Sequence, residues 1–207
     1  MRFTQVARLL LAAALITSFA RPALAGPPLV CFPFDIGPAT SLPWDAKAHT
    51  WKGMRSDYKV AGLVGDTLAL LSPATPVIVR METLRRAAIY ASTDVDVARG
   101  LLTTLLDRAK AKGAEPIAVF DAGYLAETYK QLGPISPATG TLAAGIDGYA
   151  MVSASAKKLG PDPALEFAAA VITAEGRRAS HAEHVRLAKA GVPADRLLAR
   201  NIDHLEP

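Results

Sequence analysis

The chain has 207 residues, 51% of them hydrophobic and 20% charged, with one cysteine, 15 glycines and 15 prolines. That apolar fraction excludes a chain disordered from end to end, and a lone cysteine excludes an internal disulfide framework or a Cys-rich zinc site. The formal charge of +4, from 23 bases and 19 acids, invites a nucleic-acid or membrane-surface reading, so the placement of the bases decides the matter.

Residues 1–25 read as a secretory signal peptide. Arg2 and Arg8 make a basic start, residues 9–20 are an apolar run, and Ala23-Leu24-Ala25 supplies a small-x-small cleavage site before Gly26. At 1.5 Å per residue the run covers about 18 Å, short of the roughly 30 Å a bilayer core demands. Removing Arg2, Arg8 and Arg21 leaves 20 bases against 19 acids, without the basic excess of a nucleic-acid binder. No integral membrane segment is expected after leader removal, and the expected location is periplasmic or extracellular. Cys31 follows Pro28-Leu29-Val30, a poor lipidation signal, and a buried thiol is its expected state.

Residues 26–56 hold Pro27, Pro28, Pro33, Pro38 and Pro43 together with Phe32, Phe34, Trp44 and Trp51. The prolines forbid a long helix and favour extended backbone. The rings argue for an arm lying along the main domain, with a docking segment for a partner or for sugar rings as the functional alternative.

From 57 to 207 the spacing is helical. Helices are expected over 57–71, 76–91 (capped by Thr75), 94–112, 115–132, 148–159, 162–174, 180–190 and 193–205, with a Pro- and Gly-containing loop at 134–146. Ser180-x-x-Glu183 has the form of a capping box. The expected class is all-α, a bundle or a short αα-hairpin solenoid of about eight helices preceded by the arm. Three helices open alike, at Pro76, Pro116 and Pro163, which gives a weak repeat near the period of two-helix solenoids. On the shared face the first copy carries Val77, Met81, Leu84 and Ala88, and the third opens with Ala164, Ala168 and Val171. The second reads Ile117, Asp121, Tyr124 and Thr128.

A carboxylate on that stripe needs a partner. Arg80, Arg85 and Arg86 are the nearest cations by repeat logic, so an ion pair between hairpins is expected for Asp121. A misjudged face and a ligand-binding carboxylate are the alternatives. Glu82 and Arg86 form an i,i+4 pair expected on a solvated face. Asp121, Tyr124, Arg80, Glu82 and Arg85 are the candidate binding residues. His181 and His184 lie three apart, but their spacing is not that of H-E-x-x-H and no metal site is assigned. Ser153 and Ser155 read as small packing residues, and Glu166 is a lone charge in an apolar helix.

No phosphate-binding, dinucleotide, haem or nucleophile-elbow motif occurs, and no cofactor is implied. The expected function is that of a non-catalytic protein- or peptide-binding or scaffold module. The alternative is a small hydrolase or lyase in which at least two of Asp121, Glu82 and Glu166 converge with Tyr124 or a histidine.

Overall fold

A computed structural model describes residues 26–174, 176 and 179–205; the leader lies outside them. The described residues hold ten α-helices, two 3₁₀ turns and no strand. The helices are α1 (Pro28–Cys31), α2 (Leu63–Leu70), α3 (Val77–Ala91), α4 (Val95–Lys110), α5 (Pro116–Gln131), α6 (Pro137–Leu142), α7 (Gly148–Leu159), α8 (Pro163–Ala174), α9 (His181–Gly191) and α10 (Arg196–Asn201). The 3₁₀ turns are Val60–Gly62 and Ile202–Leu205. Among the described residues no helix is long and apolar enough to cross a membrane.

Prolines and acidic caps place most of these boundaries. Pro116 and Pro163 stand where a missing N–H costs nothing. Asp94 accepts from the Asp96 and Val97 amides, Asp147 from Ala150, and Asp195 from Leu197 and Leu198. Several expected helix boundaries need correction, the last among them: α10 over Arg196–Asn201 and a 3₁₀ turn over Ile202–Leu205 stand in place of one helix over 193–205. The helix expected from 57 starts at Leu63, after a 3₁₀ turn, with Asp57 drawn to Arg55 instead. Thr75 does not cap α3, because its hydroxyl donates to the Leu70 carbonyl at 2.8 Å. The loop at 134–146 contains α6, with Pro137 at its tolerated first position. Ser180 does not cap α9: its backbone is already helical (φ −81°, ψ −8°), whereas a capping side chain needs extended geometry to reach back, and Glu183 turns to Arg186.

Three helices carry the core. α3, α5 and α8 are buried on nearly every side; α8 is apolar around most of its circumference, whereas α3 also buries Arg80, Glu82 and Arg85. The remaining helices cover them. α4 shows the one-sided pattern, burying Ala98, Leu101, Leu102 and Leu105 and exposing Asp96, Arg99, Asp107 and Lys110, while Arg108 is half-buried. α5 and α7 cross closely at Gly123 and Gly148. A Cβ on Gly123 would stand 2.7 Å from the Gly148 carbonyl oxygen, and one on Gly148 would overlap the Gly123 carbonyl oxygen.

Residues 32–59 form no helix, so their amides and carbonyls need partners elsewhere. α3 supplies many of them. The Phe34 amide donates to Glu82 Oε2, Arg86 donates to the Leu42 carbonyl and the Tyr90 hydroxyl to the Pro43 carbonyl. Arg85 reaches the Val30 carbonyl in α1, and the Arg55 amide closes the run on the Tyr90 hydroxyl. The face expected to be solvated is therefore covered: Glu82 and Arg85 are 0% exposed. Phe34 is buried, while Phe32, Trp44 and Trp51 are half-buried. Cys31, expected to be buried, is half-buried because it stands at the last position of the short α1.

Candidate functional site

The five residues singled out from the sequence centre on two buried networks. In the first, Arg80 Nη1 donates to Asp121 Oδ1 and Oδ2 at 2.9 and 2.7 Å. This is the expected pair between hairpins, with Arg80 0% and Asp121 1% exposed. The guanidinium also donates to the Thr75 carbonyl at 3.1 Å and to the Ser72 carbonyl, and so ties the α2–α3 turn to α5. The carboxylate is less well served, since among the described residues its hydrogen bonds come from Nη1 alone. Burial outweighs the pull of Arg80 and pushes the Asp121 carboxyl up to about 6.

In the second network, Glu82 Oε2 accepts from Arg85 Nε at 2.7 Å and from the Phe34 amide at 3.0 Å. Its Oε1 accepts from Arg85 Nη2 at 2.8 Å and from Arg86 Nε at 2.7 Å. Arg85 and Arg86 also lie over the Trp44 ring, at 4.8 and 5.8 Å from its centroid. Tyr124 stacks on Phe120 with its hydroxyl buried and without a partner among the described residues; burial holds its phenol well above the ordinary range. Both networks join chain segments, and neither lines the cavity between α7, α8 and α9.

That cavity has a volume of about 680 Å³. Ala156, Leu165, Ala169 and Leu187 form its aliphatic wall, and Tyr149, Ser153, Glu166 and His184 its polar side. Glu166 Oε2 lies 2.6 Å from His184 Nδ1, His184 Nε2 lies 2.8 Å from the Tyr149 hydroxyl, and that hydroxyl lies 2.5 Å from Ser180 Oγ. An ionised carboxylate can only accept, so Nδ1 carries a proton. In the neutral ring Nε2 then accepts from Tyr149, whose oxygen accepts from Ser180 in turn. The three contacts join all four side chains and hold the ring and the carboxylate in place.

Ser153 differs from its neighbour. Ser155 donates to the Pro116 carbonyl at 2.7 Å, whereas the Ser153 oxygen is buried with no partner among the described residues. The two histidines of the 181–184 pair are committed apart, His181 to the Thr173 hydroxyl at 3.0 Å and His184 to Glu166 and Tyr149. His204 packs against the rings of Phe34 and Phe167 at 4.8 and 6.4 Å, and burial lowers its pKa.

The three carboxylates named for the enzyme reading are engaged in different places, although the Glu82 charge also acts on Tyr124 and His204. Asp121 and Glu82 are each held by arginines, and only Glu166 meets a histidine. Sequence reasoning noted Glu166 and the histidine pair separately and missed that Glu166, His184 and Tyr149 join. The available signal was Glu166 itself, the one charged residue in the 163–173 run. The chain matches no known protein family, no characterised protein and no solved structure.

Proposed function

We propose that this chain is an exported binding module of the bacterial envelope, one that takes a side chain with an apolar stem, from a protein or peptide partner, into the α7–α8–α9 cavity. The observation that carries the reading is the cavity's division into an aliphatic wall and a hydrogen-bonded polar side, the usual make-up of a ligand site between helices. Its volume lies within the range of about 300–1,000 Å³ common to such sites. The orphaned Ser153 hydroxyl adds to it, because a ligand that draws that group into a new rotamer gains a hydrogen bond which the free protein lacks. The same proposal treats residues 26–56 as an arm laid on αα-hairpin repeats opening at Pro76, Pro116 and Pro163. Export rests on the leader pattern, and N-terminal sequencing of envelope protein should begin at Gly26.

The neutral fluorophore N-phenyl-1-naphthylamine, which brightens in apolar surroundings, tests the cavity. Saturable binding is expected, and Ala156→Phe and Ala169→Leu, which fill the cavity from two helices, should each abolish it. No saturable binding to the unmodified protein, or binding unchanged in both variants, overturns the reading.

A further inference from the structure

We infer that the group received by the cavity is a lysine side chain of a partner peptide. This rests on the binding reading above and names its ligand.

The argument starts from Glu166. Its Oε2 is held by His184, while its Oε1 accepts no hydrogen bond among the described residues. The side chain is 24% exposed, so the free oxygen is solvated, and any ligand that covers it must replace the lost water. A purely aliphatic ligand cannot do so and would leave a desolvated carboxylate. An ammonium supplies up to three donors and an opposite charge.

The surroundings agree in sign. Glu166 and Asp162 line the cavity together with Lys157, an exposed residue, so acids outnumber lysine in its lining. Asp162 is partly committed, since its Oδ1 accepts from the Ala164 amide at 2.8 Å. Asp162 Oδ2 and Glu166 Oε1 both lack a hydrogen bond among the described residues, and Glu166 is the one joined to the polar side through His184 and Tyr149. A ligand reaching it across Ala156, Leu165, Ala169 and Leu187 must be aliphatic along its length and cationic at its tip. Lysine has that form. Arginine fits less well, because its planar fork gains most from binding both oxygens of a carboxylate, and His184 occupies one of them.

Displacement of N-phenyl-1-naphthylamine at pH 8 by peptides Ac-Gly-Gly-X-Gly-Gly-NH2 tests this, with X as lysine, norleucine, arginine or glutamate. Norleucine keeps the aliphatic stem and lacks the charge. The lysine peptide is expected to displace the fluorophore at a concentration at least tenfold lower than the norleucine peptide, with arginine between them and glutamate inactive. Glu166→Gln should bring lysine to the norleucine value. If that variant unfolds, Glu166→Asp, which draws the carboxylate back by one methylene, should reduce the advantage. Equal displacement by lysine and norleucine, or an advantage unchanged in the Glu166 variants, overturns the inference and leaves the binding reading standing. Failure of the fluorophore itself to bind overturns the binding reading.

Discussion

Asp121→Asn separates two ways of reasoning about a buried ion pair. Breaking such a pair by removing one partner commonly costs about 3–5 kcal/mol, because a buried charge is left uncompensated. Here the arginine keeps other acceptors, the Thr75 and Ser72 carbonyls, and would keep an amide oxygen at position 121. The carboxylate is the poorly compensated member: it is 1% exposed and receives donors from one nitrogen. Its pKa is raised from the ordinary 3.8 to about 6, with desolvation the largest cause. A shift of that size corresponds to about 3 kcal/mol by which ionisation at Asp121 opposes folding. With folded pKa above unfolded pKa, the favourable contribution is fully present below pH 4 and is lost as pH rises through 6. Asn resembles the protonated side chain and does not titrate. Asp121→Asn should therefore be neutral at pH 4 and more stable than the parent by up to about 3 kcal/mol at pH 7.5. Urea unfolding at the two pH values measures both differences. A loss of about 3 kcal/mol or more at pH 7.5 would refute the reasoning and show that the Arg80 charge depends on a charged partner.

Glu82→Ala removes the acceptor of Arg85, Arg86 and the Phe34 amide at once, and with Arg85 fully buried a loss of about 3–5 kcal/mol is expected. Hydrogen exchange at Phe34 should accelerate with it; a loss under about 1 kcal/mol would show that the segment is held by its apolar contacts. Gly148→Ala forces α5 and α7 apart and should cost at least about 1–3 kcal/mol. Gly100→Ala, in open space on α4, should instead stabilise by roughly 0.5–1 kcal/mol, and thermal unfolding of the two variants gives the contrast. For His204 the folded pKa is depressed by burial, so its contribution is present above pH 6.5 and lost as pH falls below it. His204→Phe should flatten that acid limb of stability, and a parent-like slope between about pH 6.5 and 4.5 would contradict it.

Much of the helical layout is legible in order along the chain because its punctuation is local. Pro116, Pro163 and Asp94 act within one turn of their own positions, and the apolar spacing of α4 reports one buried face. The Asp121–Arg80 pair is legible for a different reason, since a charge on an apolar stripe breaks a pattern and demands a partner. Glu82 shows the limit of such reasoning. An i,i+4 acid and base look alike on a wet face and under a covering segment, and only the position of residues 26–56 tells the two apart.

The all-α class, most helix boundaries and the need for a partner at Asp121 can be read from the order of residues, since they follow from backbone chemistry and short-range spacing. That α3 is buried beneath the proline-rich segment is set by packing between distant parts of the chain. So is the joining of Glu166, His184, Tyr149 and Ser180 into one hydrogen-bonded chain beside an aliphatic cavity. Those side chains come from α7, α8, α9 and the entry to α9, and their meeting depends on how three helices pack, which no spacing along the chain encodes.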